Sequence, residues 1–341
     1  MDQAVDDRGR RPQPALTQLV AILSNVRECR SPSRSVAMSS HSLQISQHLR
    51  DKVRLDGAEA WLRDLPALVA DLEREWSITV GRALDGGHEA FVAEATMEDG
   101  TPAVLKVLVP QSDDVARHEI TALRLVDGEG CARLYRADEA AGAMLIERLG
   151  RMLFDLDLPL EQRLAIMCDT ASRVWRPAGD SGLPTGAEKG RWLIHFVARM
   201  WEETGRPCSE RAVAYAIACA ERRIAAHDDE RAVLVHGDVH QWNTLEAGEG
   251  YKLIDPDGLL TEAEYDLGVL LRGDPVELVQ GDPMERARWL AARTGLDATA
   301  AWEWGAVERV SSGLTCHAME MEPEAREFLE AAEYVAATPE R

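Results

Sequence analysis

Asp238 and Asn243 stand five positions apart in His236-Gly-Asp-Val-His-Gln-Trp-Asn243, straight after the apolar run Ala232-Val-Leu-Val235. A second apolar segment, Tyr251-Lys-Leu-Ile254, then delivers Asp255. This order suits phosphoryl transfer, in which one Asp accepts the proton of an attacking hydroxyl while an Asn and a later Asp hold magnesium against phosphate oxygens. Magnesium takes hard oxygen ligands and keeps several waters, so two protein donors plus the phosphates suffice. The competing chemistry is a metal hydrolase, because His236, Asp238 and His240 alternate and on a strand would project from one face. Gly237 favours a loop instead, and the hydrolase reading leaves Asn243 and Asp255 without a role. Asp255-Pro-Asp-Gly258 is also a good turn former, which accounts for its composition but not for the order of the carboxylates.

Such a centre needs elements to hold it. Upstream the hydrophobic period is close to two. Ser77–Val80 and Ala90–Ala95 read as strands around Leu84-Asp-Gly-Gly-His88, and Thr101–Val109 reads as a third after the Asp99-Gly100 turn. Cys131–Tyr135 and Gly142–Leu149 read as two more, closing a five-stranded antiparallel sheet with one helix. Lys106 lies inside the third strand, where an unpaired ammonium would be costly to bury, so it needs an anionic partner. Glu119 supplies one from the helical stretch Asp113–Leu125, whose acidic start suits the helix dipole.

Downstream the period is helical. Helices are expected over Leu160 to Trp175, near Trp192 to Glu203, and over Glu210 to Ala226, with a Pro/Gly-rich loop from Pro177 to Gly186. Tyr265–Leu271 should begin a buried helix, and further helices carry Trp289, Trp302 and Trp304. Before the sheet, Leu62, Leu65, Leu68, Val69, Leu72 and Trp76 recur at three and four, the mark of an amphipathic helix. Residues 1–37 are rich in Arg, Pro and Ser and read as a poorly ordered extension, with Met38 as an alternative start.

His236-Gly-Asp238, Asn243, Ile254-Asp-Pro256 and Tyr265-Asp-Leu267 together resemble the signature of the aminoglycoside phosphotransferase superfamily, in the branch of streptomycin 6-kinases and hydroxyurea-inactivating kinases. The branch usually carries Lys where this chain has Asp257. The resemblance implies an α+β, protein-kinase-like fold of two lobes. The antiparallel N-lobe would span 77–149 after a helical segment at 38–76, and the mainly helical C-lobe 150–341. It implies ATP and Mg2+ as cofactors, Asp238 as the catalytic base, and Asn243 and Asp255 as metal ligands. Lys106 and Glu119 would fix the nucleotide. Gly86 and Gly87, lacking Cβ atoms, would let the backbone approach its phosphates. The backbone around Glu147 and Leu149 would be the hinge that meets the adenine, and Asp266 would brace the catalytic loop. The reaction implied is O-phosphorylation of a small molecule, streptomycin first and hydroxyurea or another metabolite second. The rival from another class is a catalytically silent nucleotide-binding protein, which retention of Lys106, Asp238, Asn243 and Asp255 opposes.

Composition narrows the partners. The 341 residues are 45% hydrophobic and carry a formal net charge of -21. That charge repels nucleic acid and anionic membrane surfaces and attracts a cationic substrate. Glu320, Glu322, Glu324 and Glu327 are candidates to line a cationic-substrate cleft. Six scattered cysteines without a C-x-x-C pair read as reduced core residues of a cytoplasmic protein, a monomer or weak dimer. No apolar run approaches the roughly 20 residues of a spanning helix.

Overall fold

The computed structural model describes residues 43–338 except 56, 85–88 and 111–113. The expected extension at 1–37, Met38 and the Gly86-Gly87 pair lie outside the described residues.

Helices α1 (Gln47–Leu55) and α2 (Glu59–Trp76) precede five strands: β1 (Ile78–Ala83), β2 (Ala90–Met97), β3 (Pro102–Leu108), β4 (Leu134–Asp138) and β5 (Ala143–Glu147). The strands form one antiparallel sheet in the order β1-β2-β3-β5-β4, with α3 (Val115–Val126) between β3 and β4. Both faces are covered, which is why β3 is apolar almost throughout. Ala103, Leu105 and Val107 face α1 and α2 with Leu65, Val69 and Leu72. Val104 and Leu108 pack on the opposite side with Ile120 and Leu123 of α3. Lys106 belongs to this second set by strand alternation, opposite Val92 and Met144.

Strand β4 begins three residues later than the sequence pattern suggests. The backbone of 130–132 is engaged elsewhere: the Ala132 N–H donates to the Leu253 carbonyl at 2.8 Å, and the Leu253 N–H donates to the Gly130 carbonyl at 2.8 Å. This pairing ties the sheet lobe to the strand that leads into Asp255.

The second half contains α4 (Leu160–Ala171), α5 (Gly186–Glu203), α6 (Glu210–Ala226), α7 (Glu264–Arg272), α8 (Pro275–Leu278), α9 (Pro283–Thr294), α10 (Ala298–Ala318) and α11 (Glu324–Ala337). Two small ribbons hold the centre between α6 and α7: β6 (Val233–Val235) with β9 (Leu259–Thr261), and β7 (Thr244–Ala247) with β8 (Gly250–Leu253). Helix α4 stops before Trp175 because the chain turns to bridge Arg176 to Leu234. Helix α5 starts six residues before Trp192, where Thr185 and Glu188 form a capping box. Helix α10 is buried on nearly every side, as expected of a core helix. It approaches α7 closely because Gly268 and Gly305 face each other; a Cβ on Gly268 would come within 2.4 Å of the Trp304 Cβ. Among the described residues no helix is long and apolar enough to cross a membrane. Cys131, Cys168, Cys219 and Cys316 are buried and Cys208 is half-buried, all as free thiols.

Candidate active site

The loop between β6 and β7 is held from below by Asp266 at the start of α7. Its fully buried carboxylate accepts the His236 N–H at 3.0 Å, the Gly237 N–H at 2.8 Å and the Trp175 indole N–H at 2.8 Å. Two successive amides on one carboxylate fix the loop's path, as expected for a bracing residue. His236 closes the turn from within. Its Nδ1 accepts the Asp238 N–H at 3.1 Å and its Nε2 donates to the Ile254 carbonyl at 2.9 Å. Both ring nitrogens are thereby spent, and burial holds the imidazole below its usual pKa. The alternating His-Asp-His set is therefore a loop brace and not a trio of metal ligands.

Asp238 receives three donors. Arg272 Nη2 lies 3.0 Å from Oδ1, while His240 Nε2 at 3.1 Å and Asn243 Nδ2 at 3.2 Å meet Oδ2. The His240 Nδ1 accepts the Asn243 N–H, which leaves the proton on Nε2. Burial alone would raise the Asp238 pKa, but His240 and Arg272 hold it well below the usual carboxylate range. Arg272 also lies 3.6 Å from Glu308 of α10, which in turn accepts the Tyr265 hydroxyl. Sequence reasoning missed Arg272, although the signal that exposed Lys106 was present: a charge at the end of the apolar run Val269-Leu-Leu271.

Across the cleft, Lys106 Nζ sits 2.6 Å and 2.8 Å from the two oxygens of Glu119 and 3.0 Å from Oδ1 of Asp255. Burial would strip the ammonium of its proton, but the Asp255 and Glu119 carboxylates raise its pKa and keep it charged. Glu119 is more deeply enclosed than Asp255, and burial pushes it up to about 7 despite Lys106. Asp255 occupies the left-handed region, φ +58°, which short polar side chains tolerate better than most.

Lys106, Asp238, Asn243 and Asp255 line one cavity of about 360 Å3 together with Glu147 and Leu149. Leu84, Val92, Val104, Ile146 and Ile254 supply apolar walls. The Glu147 N–H donates to the Arg133 carbonyl at 2.8 Å, so that donor is unavailable to a ligand. The Gly150 N–H ties the chain after β5 to β7 through the Glu246 carbonyl at 2.8 Å. Among the described residues no group of three or more His, Cys, Asp or Glu is arranged to hold a metal. The donors fit magnesium instead: the Asn243 amide N–H bonds to Asp238 turn its carbonyl oxygen away from that residue, and the Asp255 side chain is 44% exposed. The acidic run falls elsewhere: none of its members lines this cavity, and Glu322 borders a separate depression with Cys208 and His317. Charge alone does not reveal which helix face a residue will occupy.

Residues 75–305 match the sequence profile of the aminoglycoside/hydroxyurea antibiotic resistance kinases. The chain belongs to this family. A hydroxyurea phosphotransferase of Kitasatospora aureofaciens is 32% identical over 225 residues, covering 63% of this chain and 64% of that protein, just under two thirds of its length. Streptomycin 6-kinases of Streptomyces glaucescens and Streptomyces griseus are 30% and 26% identical, over 61% and 67% of this chain and 67% and 75% of theirs. Among solved structures, an aminoglycoside phosphotransferase in ternary complex with ADP and hygromycin B superposes with a TM-score of 0.55 at 14% identity. The overlap covers 79% of this chain and 99% of that one. Choline kinase from Streptococcus pneumoniae gives 0.53 at 11%, over 80% and 98%. At these identities the likeness establishes the fold, an α+β kinase-like fold with an antiparallel five-stranded lobe and a helical lobe.

Proposed function

We propose that this kinase-family member transfers the terminal phosphoryl group of ATP to a hydroxyl of a small molecule, with an aminoglycoside of the streptomycin type as first candidate. The convergence of Lys106, Asp238, Asn243 and Asp255 on one cavity, from three separate segments, carries the reading. Lys106, steadied by Glu119, binds nucleotide phosphates. Asn243 and Asp255 would hold magnesium, which would neutralise charge on the transferring group. Asp238 orients the acceptor hydroxyl. With Arg272, His240 and Asn243 already donating to it, it is a weak base, and it takes the proton only as the new O–P bond makes the hydroxyl acidic. The stretch around Glu147 and Leu149 completes the nucleotide site. Such catalysis is mostly positioning and charge neutralisation. The free cysteines and a need for ATP support a cytoplasmic location.

Hydroxyurea is the second acceptor, favoured by the 32% identity to a hydroxyurea phosphotransferase. Magnesium-dependent ADP release by the purified protein, with streptomycin, other aminoglycosides and hydroxyurea supplied in parallel, decides between them. Stimulation by streptomycin alone supports the first candidate and by hydroxyurea alone the second. ATP binding without ADP release stimulated by any hydroxyl acceptor would overturn the phosphotransfer reading.

A further inference from the structure

A second recess of about 540 Å3 lies beside the nucleotide cleft, and Asp257 lines both. Its side chain packs where Gly237 has none: a Cβ on Gly237, whose φ is +90°, would come within 2.8 Å of the Asp257 Cβ. The carboxylate is therefore held beside the backbone that presents Asp238. The facing wall is the start of α5. There Lys189 Nζ lies 3.7 Å from Asp257 Oδ2 and 4.8 Å from the centroid of the Trp192 ring. Trp192 is backed by Phe196, with centroids 5.1 Å apart and planes 14° from parallel.

At 3.7 Å the Lys189 ammonium makes no hydrogen bond to Asp257. Attraction to the carboxylate and to the ring face keeps it there, on a flexible four-carbon stem. The Lys189 and Asp257 side chains are only 11% and 21% exposed, so the slot between them is largely closed to solvent. An aromatic face opposite a carboxylate is an arrangement that recognises an ammonium or guanidinium group. In this chain the group inside it is the protein's own.

We propose that this recess is the acceptor subsite and that Lys189 is its resident cation, displaced when a cationic group of the acceptor enters between Asp257 and Trp192. This rests on the phosphotransfer reading and narrows it: the acceptor carries its reactive hydroxyl close to an ammonium or guanidinium, so that docking the cation presents the hydroxyl to Asp238. A neutral acceptor gains nothing from the slot. The two members of the pair therefore act in opposite directions. Removing the Asp257 charge weakens cationic acceptors, whereas removing the Lys189 ammonium eliminates an internal competitor and strengthens them.

The test is calorimetric binding of streptomycin, which carries guanidinium groups, and of uncharged hydroxyurea. Wild type, Asp257→Asn and Lys189→Met are compared in the presence of ADP and magnesium. The streptomycin Kd is expected to rise about tenfold in Asp257→Asn, the scale of one lost charged contact, and to fall in Lys189→Met. The Kd for ADP should stay within about twofold in Lys189→Met, whose side chain lines only the recess, and any hydroxyurea affinity should stay within about twofold in both. Shifts of streptomycin affinity in the same direction, no shift, or no streptomycin binding at all would overturn the subsite. Opposite shifts without phosphorylation would uphold the subsite and count against phosphotransfer instead, so the two failures are distinguishable.

Discussion

Asp238 and Asp255 face one cavity from environments that differ in almost every respect. Asp238 has a side chain 11% exposed, clamped by a guanidinium, an imidazole and an amide. Asp255 is 44% exposed, sits on a left-handed turn and gives one oxygen to Lys106. The first is a fixed charge that cannot move without breaking the helical lobe's buried network. The second is a carboxylate open to a cation and joined to the sheet lobe. Under the proposed function, the contrast divides the work between an acceptor side made rigid by α7 and α10 and a nucleotide side whose parts come from both lobes. Rigidity on one side and accessibility on the other is what in-line transfer asks of two carboxylates with different tasks.

The sharpest way to break this division is Asp238→Asn. Transfer should fall by about 10²–10⁴-fold, the usual scale for a lost general base, when measured as single-turnover phosphate transfer from ATP. Next, Lys106→Ala leaves Glu119 and Asp255 facing each other without their cation. Breaking a buried pair in this way should cost about 3–5 kcal/mol of stability, read by urea denaturation. Lys106→Met combined with Glu119→Gln should recover much of that stability but not transfer.

Arg272→Met tests whether the acceptor side depends on its clamp. It leaves Asp238 and Glu308 as buried carboxylates without their guanidinium, so the Asp238 pKa should rise toward the ordinary range. The acid limb of the kcat pH profile should move upward with it, while Arg272→Lys restores part of the effect. Unchanged pH behaviour would mean that Arg272 serves folding alone.

The smallest effect concerns His236. Its pKa is lowered by burial, so the unfolded chain, near 6.5, takes up a proton first as pH falls. Stability from this group is full above about 6.5 and is lost below it, at up to about 1.4 kcal/mol per pH unit. His236→Asn should flatten the dependence of Tm on pH between about 5 and 7.

The cluster of residues that meets in the cavity was legible in the sequence because its signals are local. Asp238, Asn243 and Asp255 are ordered along one short stretch, and Lys106 betrays itself as a charge in an apolar strand. Its partner Glu119 is 13 residues away on the next element. The groups around that cluster were legible only in part. Arg272 reaches Asp238 across 34 residues, through a helix whose placement depends on the Gly268–Gly305 contact. Lys189 meets Asp257 because α5 starts at Gly186, behind a Thr185–Glu188 capping box that the pattern of Trp192 to Glu203 does not reveal. The strand expected from Cys131 starts only at Leu134 because the backbone of 130–132 pairs with Leu253, a long-range bond without a local signal.

The most direct test of the division between the two carboxylates is the magnesium dependence of nucleotide binding in Asp238→Asn and Asp255→Asn, measured side by side by calorimetry with a non-hydrolysable ATP analogue. Asp238→Asn should bind the analogue as wild type does and retain its strengthening by magnesium, whereas Asp255→Asn should lose that strengthening. Loss in Asp238→Asn with retention in Asp255→Asn would contradict the assignment of the two carboxylates.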